Sequence, residues 1–237
     1  MLRFDEVSLE FRGGGGVHDL SFRADAGEIV ALVGLNGAGK TTLMRIALGM
    51  LRPQSGGVQV LGHPIEKLPT ADWAGVGALI EVPLAYPELT ARENLRIACL
   101  LRGADPALVP TALDDWMLAP VADRRFRRLS LGTRQRVGLA AAMQHDPRLI
   151  VLDEPSNALD PASVMLLREQ LLQRAADGAG VLVSSHHLDE VARIADRVIL
   201  MNRGRLIGEL DTAGTDLERV FFDRIRVDDA QILEEVR

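Results

Sequence analysis

The stretch GLNGAGKTT, Gly34 to Thr42, constrains this chain more than any other. Three glycines and a lysine stand where one apolar run, EIVALV, gives way to an apolar-periodic one, TLMRIALGML. Glycine weakens regular structure, but it suits a loop whose backbone must take positive φ or come close to another group. Gly34, Gly39, Lys40 and Thr41 fit the spacing G-x-x-x-x-G-K-[ST]. In such a loop successive backbone N–H groups and the first turn of the following helix point at phosphate oxygens. The lysine reaches the outer phosphates, and the threonine hydroxyl is offered to Mg²⁺. The expected phosphate contacts are Gly34, Leu35, Asn36, Gly37, Ala38, Gly39, Lys40, Thr41 and Thr42. A turn that only caps a helix is the plainer alternative, but the strand before and the helix after are the context a chance match lacks. The motif says nucleotide; it does not say what the nucleotide is for.

A chain of 237 residues, 47% hydrophobic and 25% charged, has room for one large domain, or a domain with a subdomain, around a full core. No apolar run reaches the roughly 18 residues of a membrane span, and MLRFDEVSLE carries charges where a signal peptide needs its apolar stretch. The expectation is a globular chain that neither crosses a membrane nor leaves the cytoplasm by its own signals. The single cysteine, Cys99, excludes an intrachain disulfide and is expected to be a small buried group on a helix. A formal net charge of -6 argues against a general nucleic-acid surface. The one dense basic cluster, RRFRR from Arg124 to Arg128, reads by default as a solvated loop.

Alternating segments FDEVSLEF and HDLSFRA flank GGGG, which predicts a hairpin with a flexible tip. VQVLG and VGALI (Val76 to Ile80) read as further strands. Thr90 and Glu93 stand in capping-box spacing before a helical period through Leu95, Ala98, Cys99 and Arg102. A second helix is expected over Pro106 to Leu118, so residues 83 to 126 form a mostly helical insertion. Strand-helix alternation then resumes with LIVL, a helix from Pro161 to Ala176, VLVSS, a short helix from Leu188 to Ala195, and the pair RVILMN and RLIGEL. Asp160 before Pro161 is a strong helix start. Strands apolar throughout belong in a parallel sheet covered on both faces.

LIVLDEP puts Asp153 and Glu154 at the C-terminal end of a buried strand, where ligands sit in open α/β sheets. An aspartate there can hold Mg²⁺ through a water or through Thr41, and the neighbouring glutamate can take a proton from an attacking water. Paired acids that merely cap the next turn are the bland alternative, which the upstream phosphate loop makes less attractive. VLVSSHH places His186 at the end of another strand, within reach of a γ-phosphate.

In order and spacing, GLNGAGKTT, LSLGTRQR (Leu129 to Arg136), LIVLDEP, SNALD (Ser156 to Asp160) and SSHH resemble the nucleotide-binding domain of ATP-binding cassette transporters, over Leu2 to Ile225. The resemblance implies an α/β fold: a P-loop NTPase core with a mostly parallel sheet, an N-terminal antiparallel β subdomain and a helical subdomain inserted at about 83–126, all within a domain spanning 1–226 and followed by a short tail, 227–237. It implies ATP and Mg²⁺ as cofactors, with Glu154 and His186 catalytic and Thr41, Glu81 and Asp153 on the metal side. Phe11 would stack on adenine; the alternative is a strand residue packed in the core. It also implies a head-to-tail pair of such domains, homodimer or heterodimer, in which Ser130 and Gly132 of one chain meet the nucleotide of the other and Asp160 lines the boundary. A helix N-terminus opened by Ser130 and Gly132 suits that task physically.

Two departures from the common family pattern stand out. Glu81 replaces the usual glutamine, keeping an oxygen ligand but adding charge and losing the amide donor. LSLGT replaces LSGGQ, with Leu131 and Thr133 at the altered positions. Both look like the subfamily that exports antibiotics, bacteriocins and lantibiotics or gives immunity to them. The resemblance therefore implies a separate transmembrane permease as partner, docked in a groove between Glu81 and the helical insertion with Pro83 to Pro87 as a mobile hinge. It places the chain on the cytoplasmic face of the cell membrane, with no nucleic acid bound. The alternative is a non-transport ATPase of the same class that regulates a membrane partner. A chromosome-maintenance ATPase would need a coiled coil between Lys40 and Ser130 for which there is no room, and a translation factor of this class usually carries two such domains.

Overall fold

Period-two alternation in the N-terminal residues builds a hairpin. In the computed structural model, which describes residues 1–211 and 217–235, β1 (Leu2–Glu10) and β2 (Gly16–Ala24) pair antiparallel, with Phe4 stacked on Phe22 at 4.7 Å between ring centroids. The glycine tip takes left-handed backbone at Gly14 (φ 83°) and Gly15 (φ 76°), as a tight turn there requires. β4 (Ser55–Val60) joins the free edge of β1, and the two-residue strand β5 (His63–Pro64) joins β4, giving the order β2-β1-β4-β5. β5 is too short for any alternation to show in the sequence.

The second sheet has six strands in the order β10-β9-β3-β8-β7-β6. These are β3 (Ile29–Val33), β6 (Val76–Leu79), β7 (Leu149–Leu152), β8 (Gly180–Ser185), β9 (Arg197–Asn202) and β10 (Arg205–Leu210). Only β10 runs antiparallel to its neighbour. All five residues of β3 are buried, because its two faces serve two cores. Ile29, Ala31 and Val33 pack with the helices of one face, while Val30 and Leu32 pack toward the antiparallel sheet. Burying each such aliphatic side chain is worth about 1.5–3 kcal/mol, which is why the run is apolar at every position rather than at every second one.

Helices cover both faces. α1 (Lys40–Ala47) follows the glycine loop and packs under the antiparallel sheet with Leu43, Met44, Ile46 and Ala47. On the other face lie α4 (Leu131–Met143) and α5 (Pro161–Ala176). Between β6 and α4 the insertion holds α2 (Ala91–Leu101), started by the Thr90–Glu93 capping box, and α3 (Val109–Asp115). The second insertion helix is thus shorter than the sequence suggests. Pro106 and Pro110 supply no N–H, so Pro106–Leu108 is a separate 3₁₀ turn and α3 opens with proline in its first turn. α6 (Leu188–Val191) is a single turn that stops short of Ala195. Cys99 is fully buried on α2. In the basic cluster Phe126 is buried, and Arg125 and Arg127 both pair with Glu88, so the segment is tethered as well as solvated. The last helix, α7 (Leu217–Glu235), runs unbroken across residue 226 and packs Phe221 and Ile225 into the core. No helix among the described residues is long and apolar enough to cross a membrane.

Candidate functional site

The parallel sheet ends its strands β3, β7 and β8 along one rim, and the residues that follow each strand meet there. After β3 the chain enters the glycine loop. Gly34 has no room for a side chain, since a Cβ would lie 2.3 Å from the Met201 carbonyl oxygen. Gly39 takes φ 102° and begins α1 with no side-chain cap, so no side chain satisfies the N–H groups of the first turn. The hairpin tip backs onto the same loop: a Cβ on Gly39 would sit 3.0 Å from the Gly16 carbonyl oxygen. Phe11, just beyond β1 at this tip, is 43% exposed and is not a core residue.

Lys40 is buried, and its ammonium donates to the Gly34 carbonyl at 2.6 Å and pairs with Glu154 Oε1 at 3.3 Å. Thr41 Oγ1 donates to Asp153 Oδ2 at 2.7 Å, across 112 residues of sequence. The other oxygen, Asp153 Oδ1, accepts from the Ser184 hydroxyl at 2.6 Å, and the same Ser184 Oγ accepts from the Glu154 N–H at 2.9 Å. Glu154 Oε2 lies 2.7 Å from His186 Nδ1 and accepts from the His186 N–H at 3.3 Å. Glu154 itself is held at φ 47°, a left-handed conformation that costs a non-glycine residue strain and recurs at functional sites. Lys40, Thr41, Asp153, Glu154 and His186, all singled out in the sequence, are therefore brought together. Ser184 joins them without any motif of its own; its only signal in the sequence is that it is one of two hydroxyls, with Ser185, closing a strand that is otherwise apolar and buried on both faces.

Other candidates lie apart from this cluster. Glu81 also has a left-handed backbone (φ 59°), but its carboxylate is turned to Arg45 Nη2 at 2.6 Å and takes no part in the Thr41–Asp153 pair. Ser130 caps α4, accepting from the Thr133 N–H at 3.2 Å, and Leu131 beside it is 67% exposed. Gly132 lies against the segment after β7, where a Cβ would meet the Ala158 carbonyl oxygen at 2.6 Å. Gln135 ties α4 to the same segment by donating to the Pro155 carbonyl at 3.0 Å. None of these takes part in the hydrogen bonds around Lys40 and Glu154. Asp160 caps α5 by accepting from the Ser163 N–H at 2.7 Å, and hydrogen bonds from Ser163 hold its carboxyl below the usual carboxylate range.

A family model described as ABC transporter matches residues 17–157, more than half of the chain. The chain belongs to the ABC transporter family. Within that family the lantibiotic transport ATP-binding protein SrtF of Streptococcus pyogenes is 31% identical, over 88% of this chain and 90% of its own. The bacitracin transport ATP-binding protein BcrA of Enterococcus faecalis is 34% identical, over 93% of this chain and 72% of its own. A solved ATP-binding subunit of an ABC transporter superposes with a TM-score of 0.85 at 28% identity, covering 96% of this chain and 98% of that one. The chain spans 68% and 62% of the length of two uncharacterized ABC transporter ATP-binding proteins of Bacillus subtilis that it also matches. As a member of the family it is an ABC-type ATPase with the fold that the sequence predicts.

The rim fits a nucleoside triphosphate on its own geometry. Gly37, at φ 83°, has nothing within 4 Å of where a Cβ would stand, so the loop offers open backbone. The uncapped α1 N-terminus and the buried Lys40 supply positive potential to an anion there. The donor set also suits Mg²⁺, which keeps waters and phosphate oxygens and takes only one or two ligands from protein. Thr41 and Asp153 are a hydroxyl and a carboxylate 2.7 Å apart. Among the described residues no group of three or more His, Cys, Asp or Glu is arranged to hold a metal without such help.

Proposed function

We propose that this chain is the ATP-binding and ATP-hydrolysing subunit of an ABC exporter and drives a drug or peptide antibiotic through a separate membrane permease. The observation that carries this reading is the convergence of Lys40, Thr41, Asp153, Glu154 and His186 on one rim of the sheet. Gly34, Leu35, Asn36, Gly37, Ala38, Gly39, Lys40, Thr41 and Thr42 wrap the phosphates with backbone N–H groups and one ammonium, and Phe11 offers its exposed ring to adenine. Glu154 takes the proton of the attacking water. His186, hydrogen-bonded to Glu154, orients that base and faces the outer phosphate. Thr41 and Asp153 would hold Mg²⁺, which would supply positive charge against the phosphoryl oxygens. Glu81 joins the metal side once its carboxylate leaves Arg45.

The site is completed by a second copy or a close relative. Ser130, at the exposed start of α4, and Gly132 present a helix N-terminus to the outer phosphate bound by the partner, with Asp160 at the boundary. We read residues 1–226 as one cassette domain with its helical subdomain at about 83–126, and 227–237 as a short C-terminal tail whose residues to Glu235 continue α7. The permease lies over a groove of about 440 Å³ between α1, β6, α2 and α4. Its lining includes Met50, Glu81, Val82, Leu84 and Leu101, all of them exposed. Closure of the two cassettes around ATP pulls on that groove, and hydrolysis releases it. The placement this implies is the cytoplasmic face of the membrane. The export class draws on relatives named for lantibiotic transport, bacitracin transport and Nod factor export.

Purification of the intact assembly from membranes tests the reading. The expected outcome is a copurifying hydrophobic subunit of several membrane helices, whose reconstitution in liposomes raises ATPase activity and gives ATP-dependent solute movement. Recovery of this chain alone, with activity indifferent to any candidate permease, overturns it.

A further inference from the structure

β8 closes on two buried hydroxyls: Ser185 turns back to the His187 backbone, and Ser184 faces the core side of the sheet. Ser184 is fully buried in a strand whose preceding residues are Gly, Val, Leu and Val. Leu182, two positions earlier and so on the same face, packs into the core on the α1 side. A second leucine or valine would be the default in a parallel strand covered on both faces. A hydroxyl buried there is tolerated only if its hydrogen-bonding capacity is used.

That capacity is used on two consecutive residues of another strand end. The Glu154 N–H can only donate, so Ser184 Oγ is its acceptor, at 2.9 Å. The Ser184 proton is then free to point to Asp153 Oδ1, at 2.6 Å. Asp153 receives its second hydroxyl donor, Thr41, on Oδ2 at 2.7 Å. The result is one continuous chain of hydrogen bonds from the backbone of Glu154 through Ser184 and Asp153 to Thr41 on α1. It fixes the rotation of the Asp153 carboxylate from both sides. It also satisfies the one backbone donor of a residue held at φ 47°, where relaxation toward ordinary backbone would swing the Glu154 side chain away from Lys40 and His186.

We propose that Ser184 is a positioning residue for ATP hydrolysis: through one buried hydroxyl it sets both the metal-side carboxylate of Asp153 and the backbone that aims Glu154. It contacts no reacting atom. Its effect is on cation affinity and on the rate of the chemical step, not on nucleotide capture by the glycine loop. The inference rests on the reading of Asp153 and Glu154 given above.

The test compares Ser184→Ala, Ser184→Thr and Glu154→Gln in the full chain. Measured for each are kcat, KM for ATP, the Mg²⁺ concentration for half-maximal rate, and the Kd of a fluorescent ATP analogue with Mg²⁺ and with EDTA. Loss of an outer partner of a metal ligand typically costs about 10- to 100-fold in affinity or activity. Ser184→Ala is expected to lower kcat and raise the Mg²⁺ requirement within that range while leaving the Kd in EDTA unchanged. Ser184→Thr, which keeps the hydroxyl, is expected to recover most of the loss. If Glu154→Gln abolishes turnover while Ser184→Ala keeps wild-type kcat and Mg²⁺ dependence, the positioning role is wrong and the base assignment stands. If Glu154→Gln itself turns over normally, the reading beneath both is wrong. Should Ser184→Ala fail to fold by circular dichroism, Ser184→Cys, similar in size and a weaker donor, is held to the same criteria. An equal loss of EDTA binding would mark a general structural role and also overturn the inference.

Discussion

Glu154 stands between two cationic or hydrogen-bonding partners, Lys40 at 3.3 Å and His186 at 2.7 Å. Replacing it by glutamine keeps shape but removes the base, so turnover is expected to fall by about 10²- to 10⁴-fold while ATP binding persists; single-turnover kinetics beside a filter-binding isotherm check both halves. Lys40→Ala has the opposite signature, because it removes the buried charge facing the loop: nucleotide binding itself is lost, as titration with a fluorescent ATP analogue would register. A third residue, far from the rim, contributes to stability in the mildly acid range. Burial, with the Arg102 charge adding to it, pulls His145 from the ordinary 6.5 down to about 4. The fold therefore favours the neutral ring, while the unfolded chain takes up the proton at higher pH. The contribution is fully present above about pH 6.5 and is lost as pH falls toward about 4. Thermal midpoints are expected to drop across that window, and His145→Leu should flatten that part of the profile.

At the scale of elements, α4 approaches the sheet as closely as glycine permits. A Cβ on Gly77 of β6 would stand 2.1 Å from the Ala142 carbonyl oxygen, and one on Gly138 of α4 would meet Pro83 at 2.7 Å. Backbone on one side and a rigid ring on the other leave neither position an easy escape. Gly77→Ala is expected to destabilise by at least the ~1–3 kcal/mol of ordinary overpacking, measured as a lowered denaturant midpoint with unchanged slope. α7 is a different sort of element. Phe221 and Ile225 are buried, and Asn202, at the end of β9, donates to Asp228 at 2.8 Å and Asp229 at 3.0 Å. The adjoining residue Met201 is the one whose carbonyl crowds Gly34. The helix thus braces the strand that backs the glycine loop. It continues through residue 226, with apolar and charged residues mixed on both sides of that point.

At the scale of the molecule, the arrangement predicts association. Among the described residues, the Lys40–Glu154 cluster and the exposed α4 start at Ser130 share no hydrogen bond, although both suit the same triphosphate. Glu154→Gln saturated with ATP is expected to sediment as a dimer and the nucleotide-free chain as a monomer; a variant that stays monomeric, both alone and beside its permease, would remove the basis for the composite site. Ser130→Arg, which puts a bulky cation at that helix start, should block the dimer while leaving binding to the glycine loop intact, as sedimentation and nucleotide titration together would report.

How much of this was legible in the linear chain follows from the range of the forces involved. The glycine loop, the Thr90 and Asp160 caps, the apolar strands and the hairpin are written in residues close in sequence, where backbone freedom, periodicity and local hydrogen bonds decide the outcome. The acids after β7 could be located at a strand end, but not what they touch. That Asp153 faces Thr41 across 112 residues, that Ser184 links Asp153 to the Glu154 backbone, and that Glu81 turns to Arg45 all depend on the strand order β3-β8-β7-β6. Strand order arises from the packing of two cores at once, a property of the whole chain, and only the folded molecule carries it.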